Sequence, residues 1–235
     1  MRVFVLTGAG VSAESGLGTF RDPGGIWERF DPMKLATPEA FAADPERVHD
    51  FYNMRRRDLL ASRPNAAHEA LGGLEAGLAA RGGRLWLCTQ NIDDLHERAG
   101  SAFVHHMHGE LLKARCTACG AVHAWREDLA LATPCPGCGR SGGMRPDVVW
   151  FGEMPVGLEA IEDAIAESDL FVAIGTSGSV WPAAGFVEIA RGCGVRTAEL
   201  NLEPSDNARM FDERRYGKAS DVVPAFVDGI MSGSV

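Results

Sequence analysis

Met1-Arg2-Val3-Phe4-Val5-Leu6-Thr7-Gly8-Ala9-Gly10-Val11-Ser12-Ala13 is the stretch that decides the architecture. An apolar run as short as Val3–Leu6, followed at once by a turn former, reads as a buried strand. The continuation Gly8-Ala9-Gly10-Val11-Ser12-Ala13 fits G-x-G-x-x-G/A, in which glycines let backbone approach a pyrophosphate and a helix N-terminus faces it. An ordinary tight strand–helix turn has the same appearance, so the motif alone leaves both readings open. The dehydrogenase form also needs a second strand ending in an acidic residue about 20 positions on. Here that region is Thr19-Phe20-Arg21-Asp22-Pro23-Gly24-Gly25, a loop, which disfavours a hydride-transferring enzyme.

Outward from this start, further buried-strand runs lie at Leu85–Cys88, Leu170–Ile174 and Val195–Asn201, with helical patterns at Ala66–Ala80 and Leu158–Glu167. Strands alternating with helices predict an α/β fold with a parallel sheet covered on both faces, whose ligands sit at the strands' carboxyl ends. Two stretches break the alternation. One, about 18–63, holds a loop and then helical spacing of Phe41, Val48, Phe51 and Tyr52; the other, about 111–144, holds paired cysteines. A length of 235 residues suits one large unit, 1–110 with 145–235, carrying the 111–144 satellite.

The formal charge of −9 argues against direct nucleic-acid binding, which needs a basic surface. No apolar run approaches the ~20 residues of a membrane helix. The N-terminus also lacks the apolar core of a signal peptide, so a cytoplasmic monomer without membrane contact is expected. Cys116-x-x-Cys119 and, fifteen residues later, Cys135-x-x-Cys138 have the spacing of two knuckles around one tetrahedral zinc. Four thiolates leave no open position, which predicts a structural ion; redox dithiols are the alternative. The lone Cys88 and Cys193 are expected to be small core residues.

Polar residues follow the strands directly. Thr89-Gln90-Asn91-Ile92-Asp93-Asp94 offers amides and carboxylates for an amide-bearing ligand and ribose hydroxyls, or simply caps a helix. His105, His106 and His108 do not aim at one point on an extended segment, which argues against a metal site. A histidine beside Gly109 suits general-base work near neutral pH, although a satisfied surface histidine is the ordinary case.

Taken together, Gly8-Ala9-Gly10-Val11-Ser12-x-x-Ser15-Gly16, Thr19-Phe20-Arg21, Gln90-Asn91-Ile92-Asp93, His108-Gly109-Glu110, the four cysteines and Gly175-Thr176-Ser177 resemble the sirtuin family, in order and over nearly the whole chain. One departure is Gly18, where many members carry proline. The resemblance implies a Rossmann-like NAD⁺-binding domain, with a zinc ribbon and a helical insertion closing a cleft beside it. It also implies an NAD⁺-dependent protein-lysine deacylase that releases nicotinamide and O-acyl-ADP-ribose. His108 would be the general base. Gly8, Ala9, Gly10, Ala13, Glu14, Phe20, Arg21, Gln90, Asn91, Asp93, Gly175, Thr176, Ser177, Asn201 and Ala219 would surround NAD⁺. Phe151-Gly152-Glu153 and Gly178-Ser179-Val180 would clamp an acyl-lysine protein or peptide as an added strand.

Tyr52 and Arg55 stand three apart, on one face of a helix, where a guanidinium fork and a phenol could meet a carboxylate. A solvated helix surface is the plainer reading, given Arg55-Arg56-Arg57. Tyr-x-x-Arg with Ala36-Thr37-Pro38 resembles the sirtuin subgroup that removes succinyl and malonyl groups, with the small Ala36 leaving room for the longer acyl chain. Rival activities on the same fold are mono-ADP-ribosyl transfer, NAD⁺ glycohydrolysis and non-catalytic sensing.

Overall fold

Alternation along β1 (Arg2–Thr7) sends Val3 and Val5 to one face of a sheet and Phe4 and Leu6 to the other, and all four are buried. A strand apolar on both faces belongs inside a parallel sheet. The computed structural model, which describes residues 1–19 and 30–234, places it there.

After β1 the described elements run α1 (Ala9–Ser12), α2 (Pro38–Ala43), α3 (Pro45–Ala61), α4 (Ala66–Ala80), β2 (Arg84–Thr89), α5 (Leu95–Arg98) and β3 (Val104–His106). Next come β4 (Gly109–Cys116), β5 (Val122–Ala124), β6 (Met144–Val148), α6 (Leu158–Ala166) and β7 (Leu170–Ile174). The chain then forms α7 (Phe186–Gly192), β8 (Arg196–Asn201), β9 (Glu213–Tyr216) and α8 (Ala219–Ser232). The large sheet has the order β3-β2-β1-β7-β8-β9, and every pairing in it is parallel. Leu71 and Leu74 of α4 with Phe226 and Ile230 of α8 cover the face of Val3 and Val5. Ile161 and Ile165 of α6 with Phe186 and Ala190 of α7 cover the face of Phe4 and Leu6. Each of the leucines, isoleucines and phenylalanines among them contributes about 1.5–3 kcal/mol by leaving water.

Strand order reverses between β1 and β7, so the crevice of this doubly wound sheet opens above those two strands. There the loops are pressed together. Gly8 N donates to Ile174 O at 2.9 Å and Gly10 N to Gly175 O at 3.0 Å. A Cβ on Gly10 would lie 2.7 Å from Gly175 Cα, and one on Gly175, whose φ is +62°, would lie 2.5 Å from Val11 N. These glycines are required by backbone meeting backbone as well as by any ligand.

A second, antiparallel sheet, β5-β4-β6, spans Gly109–Val148. The helical stretch beside it begins with Asp44, whose side chain accepts from Arg47 N at 3.1 Å, and Pro45 at the first position of α3. Val48, Phe51, Tyr52 and Leu59 of α3 share one core with Leu111 of β4 and Val148 of β6. The two stretches that interrupt the α/β alternation thus pack on each other.

Cys88 is buried, as expected, but Cys193 is exposed, which corrects its reading as a core residue. It caps the C-terminus of α7, and Gly194 at φ +72° turns the chain there, carrying residue 193 to the surface. Among the described residues no helix is long and apolar enough to cross a membrane.

Candidate functional site

A cleft of about 340 Å³, part of it open to solvent, lies beyond the carboxyl ends of β1 and β2. Ala9, Asn91 and Asp93 line it from the sheet side and Arg55 from α3, while Leu59, Ile92 and Leu111 supply apolar wall.

The polar groups are held by a buried network. Asn91 N donates to Thr89 Oγ1 at 3.0 Å, and Asn91 Nδ2 donates to Gly8 O at 3.1 Å and Ser12 Oγ at 3.2 Å. Asp93 accepts from Ser12 Oγ at 3.0 Å and from Leu95 N at 3.2 Å. Burial raises the Asp93 pKa against those bonds, which lower it. Ser12 Oγ also lies 3.3 Å from His68 Nε2. Burial pushes His68 down to about 4, so it is neutral at neutral pH. Ser12 joins these groups and also lines the cleft, although motif reading had treated it only as part of the glycine turn.

The three neighbouring histidines diverge. His105 Nε2 meets Val156 O at 2.8 Å and His106 Nε2 meets Glu97 Oε1 at 2.6 Å. His108 Nδ1 lies 3.0 Å from Gln90 O, a partner that can only accept, so Nδ1 carries the proton and Nε2 keeps its lone pair. Burial lowers the His108 pKa and the Gln90 carbonyl opposes this. Gly109 supplies φ +77° where a Cβ would sit 2.2 Å from Asp147 O, so the chain can turn into β4 directly after His108.

Other candidate residues are fixed by local bonds. Glu14 accepts from Ser220 N at 2.9 Å and Ser220 Oγ at 2.8 Å, tying the first turn to the start of α8 beside Ala219. Asn201 Nδ2 donates to Thr176 O at 2.8 Å, and Ser177 Oγ lies 2.8 Å from Ser179 Oγ. Gly178, at φ +69°, would drive a Cβ to 2.3 Å from Asn207 Oδ1. Val180 O accepts from Ala184 N at 2.8 Å, and Ala13 closes α1. Glu153 takes Arg145 bidentately at 2.7 and 3.0 Å and accepts from Trp150 N at 2.8 Å, which folds the Phe151-Gly152-Glu153 turn. Phe151 N donates to Ala36 O at 2.9 Å, bringing Ala36 beside that turn. Phe20 and Arg21 lie outside the described residues. The lining of the cleft includes neither Tyr52 nor His108; Gln90 lines a separate small cavity with Thr176, Gly178 and Val180.

Tyr52 is buried and its hydroxyl accepts from Trp150 Nε1 at 2.9 Å. Indole only donates, so the phenol's own proton remains to be given elsewhere. Burial raises the phenol pKa, keeping that proton in place. Arg55, 9% exposed, is one helical turn away.

The Sγ atoms of Cys116, Cys119, Cys135 and Cys138 lie within 4.8 Å of one another, the one such group among the described residues. Cys116–Cys138 and Cys119–Cys135 are each 3.8 Å apart. A tetrahedron with Zn–S bonds of about 2.3 Å has edges of about 3.8 Å, so the four sulfurs fit a structural zinc.

The Sir2 family model matches residues 8–182. An NAD-dependent protein deacylase of Caulobacter vibrioides is 60% identical over 232 residues, 99% of this chain and 98% of that one. NAD-dependent protein deacylase SIR2rp3 of Leishmania major is 52% identical, covering 99% and 97%. The NAD-dependent protein deacylase of Escherichia coli K12 is 53% identical, covering 99% and 83%. Among solved structures, a Sir2 homolog–NAD complex superposes with a TM-score of 0.87 at 38% identity, covering 100% of this chain and 91% of that one. A Sir2 protein with a deacetylated p53 peptide and 3'-O-acetyl ADP-ribose gives 0.83 at 27%, covering 98% and 92%.

Proposed function

Because this chain belongs to the Sir2 family and is an NAD⁺-dependent protein deacylase with a structural zinc site, we propose that it prefers lysines carrying acyl groups that end in a carboxylate, succinyl and malonyl, and also removes acetyl. The observation that carries this reading is the placement of Arg55. A guanidinium nine-tenths buried lines the same cleft as Ala9, Asn91 and Asp93, one turn from the proton-bearing phenol of Tyr52. An acyl carboxylate entering here would receive the guanidinium fork and the Tyr52 hydroxyl, and the small Ala36, bonded to Phe151 N, would leave room for the longer acyl chain.

Bound NAD⁺ supplies an electrophilic ribose carbon with nicotinamide as its leaving group. The chain's own residues are assigned the rest. Asn91 and Asp93, fixed through Ser12 and Thr89, would orient the amide and ribose hydroxyls. His108, neutral and with Nε2 unprotonated, would accept a proton from a ribose hydroxyl. Leu59, Ile92 and Leu111 would keep competing water out, so that the acyl-lysine oxygen and not solvent meets the ribose carbon. The backbones of Phe151-Gly152-Glu153 and Gly178-Ser179-Val180 would pair with the substrate peptide from its two sides.

A charge-assisted bidentate contact contributes roughly 2–3 kcal/mol when desolvated, a preference of tens- to hundred-fold. Matched succinyl- and acetyl-lysine peptides, assayed by mass spectrometry with and without NAD⁺, test it. Arg55→Met is expected to abolish the succinyl preference and spare deacetylation. A succinyl-to-acetyl ratio that does not move with Arg55→Met would return Arg55 to an ordinary structural role.

A further inference from the structure

Helix α3 serves two neighbours with two adjacent pairs of residues. Arg55 lines the cleft and Tyr52 bonds to Trp150, whereas Asn53 and Arg56, also three apart, reach toward the zinc ribbon. The Asn53 amide pairs with Leu129 as a strand would. Its Nδ2 donates to Leu129 O at 2.8 Å and its Oδ1 accepts from Leu129 N at 2.8 Å. The same Oδ1 accepts from Arg56 Nη1 at 2.8 Å, and Arg56 Nε donates to Leu111 O at 3.2 Å. Arg57 adds a 2.5 Å ion pair to Asp128, exposed on both sides and so of small effect.

Leu129 is the joint. Its backbone is gripped by Asn53, while its side chain is buried in the ribbon core with Cys116, Cys135, Ala114 and Met144. Two of the four metal-binding cysteines and the Asn53 grip therefore meet at one residue. The path from sulfur to acyl pocket is short and made of packed or hydrogen-bonded groups throughout: cysteine, Leu129 side chain, Leu129 backbone, Asn53, then Tyr52 one residue before it and Arg55 two after.

We propose that Asn53 is a positioning residue for acyl selectivity, which through Leu129 locks the seating of α3, and with it Tyr52 and Arg55, to the metal-filled ribbon. This rests on the reading of Tyr52 and Arg55 given above. Removing the Asn53 amide leaves the Leu129 N–H and C=O and one Arg56 nitrogen without these partners in a buried place, so α3 must reseat. A bidentate contact to a carboxylate depends steeply on geometry, whereas an acetyl group makes no such contact. Coupling between two sites is reciprocal, so a carboxylate held by Tyr52 and Arg55 must in turn tighten the ribbon.

The experiment uses the full, zinc-loaded chain. Asn53→Ala is expected to raise KM for a succinyl-lysine peptide roughly tenfold, about 1.4 kcal/mol, while kcat/KM for the matched acetyl peptide moves by less than about twofold. Metal analysis should still find one zinc per chain. A parallel fall in both acyl activities would mean general structural damage and overturn the proposal. A second measurement needs only the wild-type protein: the rate of zinc transfer to excess chromogenic chelator, without NAD⁺, in saturating peptide. The succinyl peptide should slow zinc loss several-fold and the acetyl peptide should not; equal rates overturn the proposal even where Asn53→Ala fails to fold. Should Arg55→Met abolish the succinyl preference while Asn53→Ala retains it, the Asn53 inference alone falls. If the wild-type protein shows no succinyl preference, the acyl reading falls and this one with it.

Discussion

Burial lowers the His108 imidazole below its ordinary 6.5, and the Gln90 carbonyl fixes its proton on Nδ1. The neutral form is the one that can act as a base. Activity is therefore expected to persist into mildly acidic solution, with kcat/KM falling only as pH drops through the lowered pKa. A pH profile of peptide deacylation whose acid limb sits at or above 6.5 would remove His108 from the base's role. His68 makes the same argument for stability. Its pKa is about 4 folded against about 6.5 unfolded, so the unfolded chain binds a proton that the folded one refuses. Stability from this group is complete above pH 6.5 and is lost progressively between pH 6.5 and 4, by up to about 3 kcal/mol. Buried His96 and His49, both lowered chiefly by burial, act in the same direction. Urea midpoints measured across that window should fall, and should fall less steeply in His68→Gln.

Between elements, the interlock of Gly8, Gly10 and Gly175 joins the ends of β1 and β7. Gly175→Ala puts a Cβ 2.5 Å from Val11 N at a left-handed backbone position, so a loss of about 1–3 kcal/mol is expected together with weaker NAD⁺ binding. Calorimetry with NAD⁺ checks the second, and an unchanged affinity would separate the interlock from the cleft. The central strands were legible because burial on both faces leaves nearly continuous apolar runs. Strand β9 was not: its Glu-Arg-Arg-Tyr sequence suits an edge, where charge blocks further pairing and apolar runs are unnecessary. Helix α8 was also missed, since Pro224 sits inside its first turns and reads as a breaker. The cysteine spacing announced its own geometry because both pairs are local. The grip of Asn53 on Leu129 had no such signal, because a separation of 76 residues leaves no trace in spacing. Cys193 misled because apolar neighbours in the chain do not decide which way a helix end faces.

At the scale of the molecule, a net charge of −9 favours approach by basic peptides. For acyl-lysine peptides with flanking lysines, KM is expected to rise from 50 to about 500 mM salt, as screening shortens the reach of that field. Neutral-flanked peptides of the same length should change little, and equal salt slopes for the two would separate net charge from recruitment. The sheet's topology has a consequence for biosynthesis. β1 occupies the middle of the sheet, yet one of its two neighbours, β7, follows it by about 167 residues. While the ribosome makes the intervening chain, β1 can pair with β2 but keeps one hydrogen-bonding edge open. The crevice at the switch point, above β1 and β7, does not exist until β7 arrives to form its other side. Such distant pairing slows folding and prolongs exposure of a sticky edge. Nascent chains halted before Leu170 should therefore engage holdase chaperones and fail to retain the dinucleotide.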